Sequence, residues 1–345
     1  MSRRRFVQLA GGALALSSTS CLPHVGGEWE TCGQEGSCEP ETHEVPAPPS
    51  SRVVEVSDPL SASFESLTIE AARVPAMFRA GLLALCEVES VKAAWEAVLP
   101  AYEPGQRIGI KVNCLSARAA SSLALTQAVH DSLVEAGIEP EAIFVWDRTE
   151  RELGEAGFLS DEVLGPRCQY TLAKDETADC AGYECEPVCL SGRKIYLSRL
   201  LTRETDHLIN LAVMKNHDTA KFTGCLKNHY GAFSRPGDFH DNCAEHIAQL
   251  NTLPAISSVS RLQVLDALLG VCKADTNKPA DCAPGRVLLA FDPVAIDRRG
   301  IEIRDEQRFS CYDLPAGYPA EYLDRATELG VGAASYELVR IDMPP

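Results

Sequence analysis

The stretch 107–147 constrains the fold of this 345-residue chain more than any other. It reads "RIGIKVN" (107–113), "SSLALTQAVHDSLVEAG" (121–137) and "AIFVWD" (142–147). The outer two runs are apolar, β-rich and close on polar residues. The middle run repeats apolar residues at helical spacing, with Ser121 or Ser122 as its cap and Gly137 as its stop. A helix between two strands demands a right-handed crossover, so the two strands are parallel. The same grammar returns in "DHLINLAV" (206–213), "RLQVLDAL" (261–268) and "RVLLAFD" (286–292). The last of these leads into the helical "PVAIDRRGIEIRDEQ", whose Pro293 suits a first turn. The expectation is one α/β domain over residues 51–345. It has a mostly parallel, doubly wound sheet with helices on both faces, and a Cys-rich insertion at about 160–200.

The N-terminal 1–21, "MSRRRFVQLAGGALALSSTSC", has a basic start (Arg3, Arg4, Arg5) and an apolar run far shorter than the ~20 residues that span a bilayer. It reads as an export signal, and its Arg pair resembles the twin-arginine type that carries folded proteins. Cys21 follows small residues as a lipid-attachment cysteine does, although Ser18 stands where Leu is usual. Residues 22–50, ending "HEVPAPPSS", read as a linker. The expected location is the periplasm or cell envelope, with membrane contact only through the signal or a lipid on Cys21.

A formal net charge of −17, from 49 acidic against 32 basic residues, excludes nucleic acid as a partner, because no Lys/Arg stripe offsets the repulsion of phosphates. Fourteen cysteines in an exported chain imply disulfides. Cys32/Cys38 and Cys272/Cys282 close short polar loops and read as local bridges, while Cys86, Cys114 and Cys225 read as buried thiols. Cys168, Cys180, Cys185 and Cys189 form the one real cluster. Two disulfides fit the compartment, and an iron–sulfur cluster on these four thiolates is the alternative.

In an open parallel sheet, ligands bind beyond the carboxyl ends of the strands. Polar residues stand there: Lys111 and Asn113, Asp147, Lys215 and His217, Asp266, and Asp292. The expectation is that all share one edge. After 206–213 comes "MKNHDTAKFTGCLKNHYG" (214–231), which gathers Lys215, Lys221 and Lys227 in an otherwise acidic chain, interleaved with Thr223, Gly224 and Gly231. Glycines permit close backbone approach and lysines neutralise anions, so the segment reads as a loop binding a small carboxylate- or phosphate-bearing ligand. Lys111, Asn113, Lys215, Thr223, Lys227, Asn228, His240 and Asp266 would hold the ligand. His217 or His229 would move a proton, with Asp147 and Asp292 orienting them. The bland counterpart is a buried ionic network in which Lys215 and Lys227 pair with Asp266 and Asp292. His217, His229, His240 and His246 lack the one-face helical spacing of metal ligands and sit beside repelling lysines, so no dedicated metal is expected and the cofactor is unassigned. The remaining alternative is a non-catalytic surface lipoprotein.

"IKVN", "VWDRT", "INLAVMKNHDTAKFTGCLKNHYGAF", "VLDALLG" and "FDPVAIDRRG" occur in this order. Together they resemble the domain of unknown function 362 family, in the form exported with a twin-arginine signal. The resemblance implies an α/β fold and a shared Lys-x-His…Thr-Gly-x-x-Lys-Asn element, here with Asn216 where Thr is frequent; it implies no reaction. Many relatives carry a ferredoxin-like module whose pattern this chain lacks. More distantly, His217…Gly224…Lys227…Gly231…His240 is similar to the histidine–lysine pattern of the lactate racemase family, which acts on a small hydroxy acid.

Overall fold

The computed structural model describes Cys38 and residues 51–173 and 182–345. Residues 1–37 with Cys21 and Cys32, 39–50, and 174–181 with Cys180, on which the expected signal, linker and part of the Cys cluster fall, lie outside the described residues. Nine strands form the principal sheet: β1 (Arg52–Ser57), β2 (Ile108–Lys111), β3 (Ile143–Thr149), β4 (Cys168–Leu172), β5 (His207–His217), β6 (Lys221–Thr223), β7 (Ser260–Val271), β8 (Arg286–Ala290) and β9 (Glu337–Asp342). Their order is β9-β1-β8-β7-β5-β2-β3-β4, with β6 folded back on β5. The β9/β1, β7/β5, β5/β2, β2/β3 and β3/β4 pairs are parallel. The sheet is therefore mostly parallel, as the 107–147 pattern requires.

Helices cover both faces. On one lie α1 (Val74–Cys86), α2 (Val91–Val98) and α3 (Leu123–Glu135); on the other lie α4 (Cys225–Asn228), α5 (Cys243–Leu250), α6 (Pro293–Tyr312) and α7 (Tyr322–Glu328). Strand alternation divides the core: Val53, Leu288 and Ala290 face the α4–α7 layer, whereas Val54, Val287 and Leu289 face α1–α3. Ser122 caps α3 by accepting the Leu125 N–H at 3.3 Å, and Gly137 stops that segment at φ +96°.

One strand departs from the expected grammar. β8 runs antiparallel to β7, with Ala267 opposite Arg286 and Gln263 opposite Ala290. The residues between them form no crossover helix; the Cys272–Cys282 disulfide and Gly285, at φ +63°, close a wide hairpin instead. An alanine Cβ at Gly285 would lie 2.6 Å from the Asp58 carbonyl, so the turn needs glycine.

The cysteines also correct the sequence reading. Cys38 pairs with Cys189, 151 residues away, and not with Cys32. Cys185 is disulfide-bonded as well. The Cys168, Cys180, Cys185 and Cys189 ligand set for an iron–sulfur cluster is thereby overturned, since two of its four sulfurs are already oxidised to disulfides. Cys168 is apart from them, its thiol donating to the Phe158 carbonyl at 3.7 Å. The 160–200 region is more than an insertion: it supplies edge strand β4 and a small hairpin of Val188–Leu190 with Arg193–Ile195. Cys114 and Cys225 are buried as expected, and Cys86 is half-buried.

Candidate functional site

Chain order in the sheet reverses between β5 and β2. From β2 the chain proceeds outward through β3 and β4, and from β5 it proceeds the other way to β7. Such a switch point leaves a crevice beyond the strand ends, because the two outgoing connections diverge. A cavity of about 290 Å³ lies there. Lys111 comes to it from the end of β2 and Asn113 from the loop that follows, Asp147 from β3, His217 from β5 and Thr223 from β6; Lys227 and Asn228 come from α4, and His240 from the loop before α5.

The short β5–β6 hairpin explains how one segment delivers so many of these groups. Lys215 and His217 are two apart on a strand and share a face, and Thr223 pairs directly opposite Lys215. The chain then turns into α4, whose first N–H groups are held from outside: Asp297 of α6 accepts the Cys225 N–H at 2.6 Å and the Leu226 N–H at 3.1 Å. Burial lifts the Asp297 carboxyl to about 7. Gly224 is required at this junction, because a Cβ there would sit 2.2 Å from Asp297 Oδ1. Gly231 is also close-packed, its Cβ position lying 2.7 Å from Lys111 Nζ and 2.9 Å from Asp147 Oδ1.

The three strand-end lysines have different surroundings. Lys111 Nζ donates to Asp147 Oδ1 at 2.6 Å and to the Val112 carbonyl at 2.7 Å, a buried and satisfied ion pair. Asp147 Oδ2 accepts the Cys114 N–H at 2.6 Å, which locks the pair to the 113–121 loop. Lys215 Nζ is fully buried and donates to Asn113 Oδ1 at 2.8 Å. Lys227 Nζ lies 4.5 Å over the Tyr230 ring and 3.4 Å from His240 Nε2. Among the described residues neither Lys215 nor Lys227 makes an ion pair with a carboxylate, so the network with Asp266 and Asp292 does not form. Burial pushes both ammonium groups down to about 8, and nearby thiols and carboxylates pull the other way.

The histidines resolve by their hydrogen bonds. His217 Nδ1 accepts the Thr219 and Ala220 N–H groups at 3.1 and 3.2 Å, so its proton sits on Nε2. Burial and then the Lys227 charge hold this ring neutral, near 3. His240 stacks on it with centroids 5.4 Å apart, but in the other tautomer: its Nδ1 donates to the Pro236 carbonyl at 3.1 Å, leaving the Nε2 lone pair toward Lys227. Burial lowers the His240 pKa as well, with Lys227 adding to the effect.

Four expected site residues fall outside the lining of this cavity, Lys215 among them: its Nζ is turned to Asn113, which does line it. Asp292 is at the opposite edge, because β8 runs backward; it caps α6 by accepting the Val294 and Ala295 N–H groups at 2.8 and 3.0 Å. Asp266 reaches the correct edge but lines a different cavity, of about 590 Å³, and accepts the Ser122 and Leu268 N–H groups. His229 is buried outside the cavity lining, with Nδ1 donating to Asn251 Oδ1 at 2.7 Å, and burial holds it down near 4. The sequence reading missed Thr276 and Asn277, which close the cavity from the disulfide-bounded loop, and the Arg148–Glu152 pair at 3.2 Å. A polar loop stapled at its base after a strand end was the available signal for Thr276. The Thr276 and Thr223 hydroxyls are buried and have no hydrogen-bond partner among the described residues.

The family model described as domain of unknown function (DUF362) matches residues 108–302, more than half of the chain. The chain belongs to the DUF362 family. Every cavity-lining residue named above falls inside the matched span. Two solved structures are similar in outline. The lactate racemase apoprotein from Thermoanaerobacterium thermosaccharolyticum is 12% identical at a TM-score of 0.40, over 73% of this chain and 57% of that one. A protein from Thermotoga maritima is 10% identical at a TM-score of 0.34, over 69% of this chain and 58% of that one. The chain therefore spans less than two thirds of either, and no chemistry is transferred from them. No curated protein matches.

Proposed function

We propose that this DUF362 member is a ligand-binding or catalytic α/β domain acting on a small carboxylate- or phosphate-bearing molecule in the 290 Å³ cavity. The observation that carries the reading is a buried lysine at the cavity wall, 227, and a second, 215, bonded to the wall residue Asn113, neither with a carboxylate partner among the described residues, together with two buried threonine hydroxyls without partners there. Buried charge of that kind is costly unless something neutralises it, and an anionic ligand supplies both the counter-charge and the missing acceptors. Lys227 and the Thr223 and Thr276 hydroxyls grip the anion, and His217 donates from Nε2. The Lys111–Asp147 pair fixes the floor. His240 Nε2, against Lys227 Nζ, is the group placed to accept a proton; the buried His229 and the remote Asp292 are not assigned to chemistry. The cavity volume is about ten times the ≈30 Å³ of a liquid water, which suits a ligand of roughly ten non-hydrogen atoms. The Arg-rich leader and the disulfides support a place outside the cytoplasm, in the periplasm or cell envelope.

Thermal unfolding with and without millimolar organic acids and phosphates tests this. Wild type and the exposed-site control Lys194→Met are expected to gain stability with at least one anion, and Lys227→Met to gain none. If Lys227→Met kept the full shift, the lysine segment would be structural and the lipoprotein reading would stand.

A further inference from the structure

The charges around the cavity count to a particular kind of anion. Lys111 is neutralised by Asp147 at 2.6 Å, and Arg148 by Glu152 at 3.2 Å, while Arg151 pairs with Glu155 at 3.0 Å. Cys114 and Cys243, the thiols whose fields reach Lys215 and Lys227, are held protonated by burial. Asp275 is the carboxylate whose field reaches Lys227; it is half-exposed and accepts the Asp218 N–H at 2.9 Å, so water and that donor screen it. His217 stays neutral. Two positive charges are left over, on Lys227 at the cavity wall and on Lys215, which lies outside the lining and reaches the wall residue Asn113 at 2.8 Å.

The donors agree with the charge. Lys227 Nζ, the hydroxyls of the buried Thr223 and Thr276, and His217 Nε2 are donors on residues that line the cavity, and the imidazole lone pair there, on His240, already faces Lys227. A monocarboxylate brings two oxygens and one charge, which leaves one lysine uncompensated and donors unsatisfied. Resting on the anion-binding reading above, we infer that the cavity selects a small dianion, either a phosphate monoester or a short dicarboxylate, over monoanions of the same size.

Calorimetry at pH 7.5 and fixed ionic strength, with propionate, malonate and methyl phosphate as probes, tests the inference on the intact protein. At least one of the two dianions is expected to bind tenfold or more tighter than propionate, and which one does so separates the phosphate from the dicarboxylate source. Lys215→Met is expected to shrink that gap to below threefold while propionate still binds. Thr276→Val, on a loop outside the sheet, is expected to weaken the preferred dianion several-fold and serves if the lysine variant does not fold. If propionate bound wild type as tightly as both dianions, with Lys227→Met abolishing all three, the anion site would stand and the dianion inference would be overturned. If no probe bound and Lys227→Met changed nothing, both would fall.

Discussion

Lys215 and Lys227 illustrate how burial writes function into stability. In the unfolded chain their ammonium groups titrate near 10.5, and in the fold near 8. Between those values the unfolded chain still holds protons that the fold has released, so folding stability rises with pH across the window. Below about 8 the fold carries both buried charges in full. A shift of that size corresponds to roughly 3 kcal/mol per lysine, since each unit is 1.36 kcal/mol. Lys227→Met, close to isosteric and uncharged, is therefore expected to be more stable than wild type at pH 7, by roughly 1–3 kcal/mol, with the advantage shrinking as pH rises from 8 to 10.5. Urea unfolding at several pH values measures this. A variant less stable than wild type at pH 7 would mean that Lys227 supports the fold rather than a ligand. At this scale the lysines were legible because cations are conspicuous in so acidic a chain. Thr276 was not, since a polar loop stapled at its base after a strand end points to the loop and not to the residue of it that reaches the cavity.

At the scale of elements, α4 decides where Lys227 points, and its four residues, 225–228, are too few to be stable alone. Asp297 holds its N-terminus, and Gly224 makes room for that carboxylate and for the Phe222 ring, which would lie 2.7 Å from a Cβ at this position. Gly224→Ala is expected to lower stability by roughly 1–3 kcal/mol through overpacking and to weaken anion binding by displacing α4. Fluorescence-monitored unfolding and the same calorimetry read the two effects, and a variant with unchanged affinity would show that α4 tolerates the shift. The β2–α3–β3 crossover was readable from alternating period-2 and helical runs alone. The direction of β8 was not, because a buried strand reads the same along either course and only the connection tells. Residues 272–285, with Pro279, Pro284 and Gly285 and no helical periodicity, held that information, and it is the reason Asp292 lies at the far edge while Lys111, Asp147 and Lys215 share the near one.

At the scale of the whole molecule, the Cys38–Cys189 bridge joins the start of the described chain to the hairpin of the 160–200 region, and the Cys38 N–H donates to the Gly192 carbonyl at 3.2 Å. Sequence proximity suggested Cys32 as the partner of Cys38; pairing across 151 residues depends on which loops the sheet brings together, a property no spacing encodes. A cross-link of that span removes much of the freedom of the unfolded chain, worth typically about 2–4 kcal/mol. It persists only where thiols are not kept reduced, which agrees with the proposed place outside the cytoplasm. Cys189→Ser is therefore expected to lose roughly 2–4 kcal/mol of stability and to leave anion affinity unchanged, because Cys189 is outside the cavity lining. Denaturant unfolding of the wild type in oxidising and reducing buffer, beside Cys189→Ser, reads this directly. Reductant should bring the wild type down to at least the level of the variant. Equal stability of all three would mean that the bridge contributes nothing to the fold, and with it would go the strongest physical reason for the chain to mature outside a reducing cytoplasm.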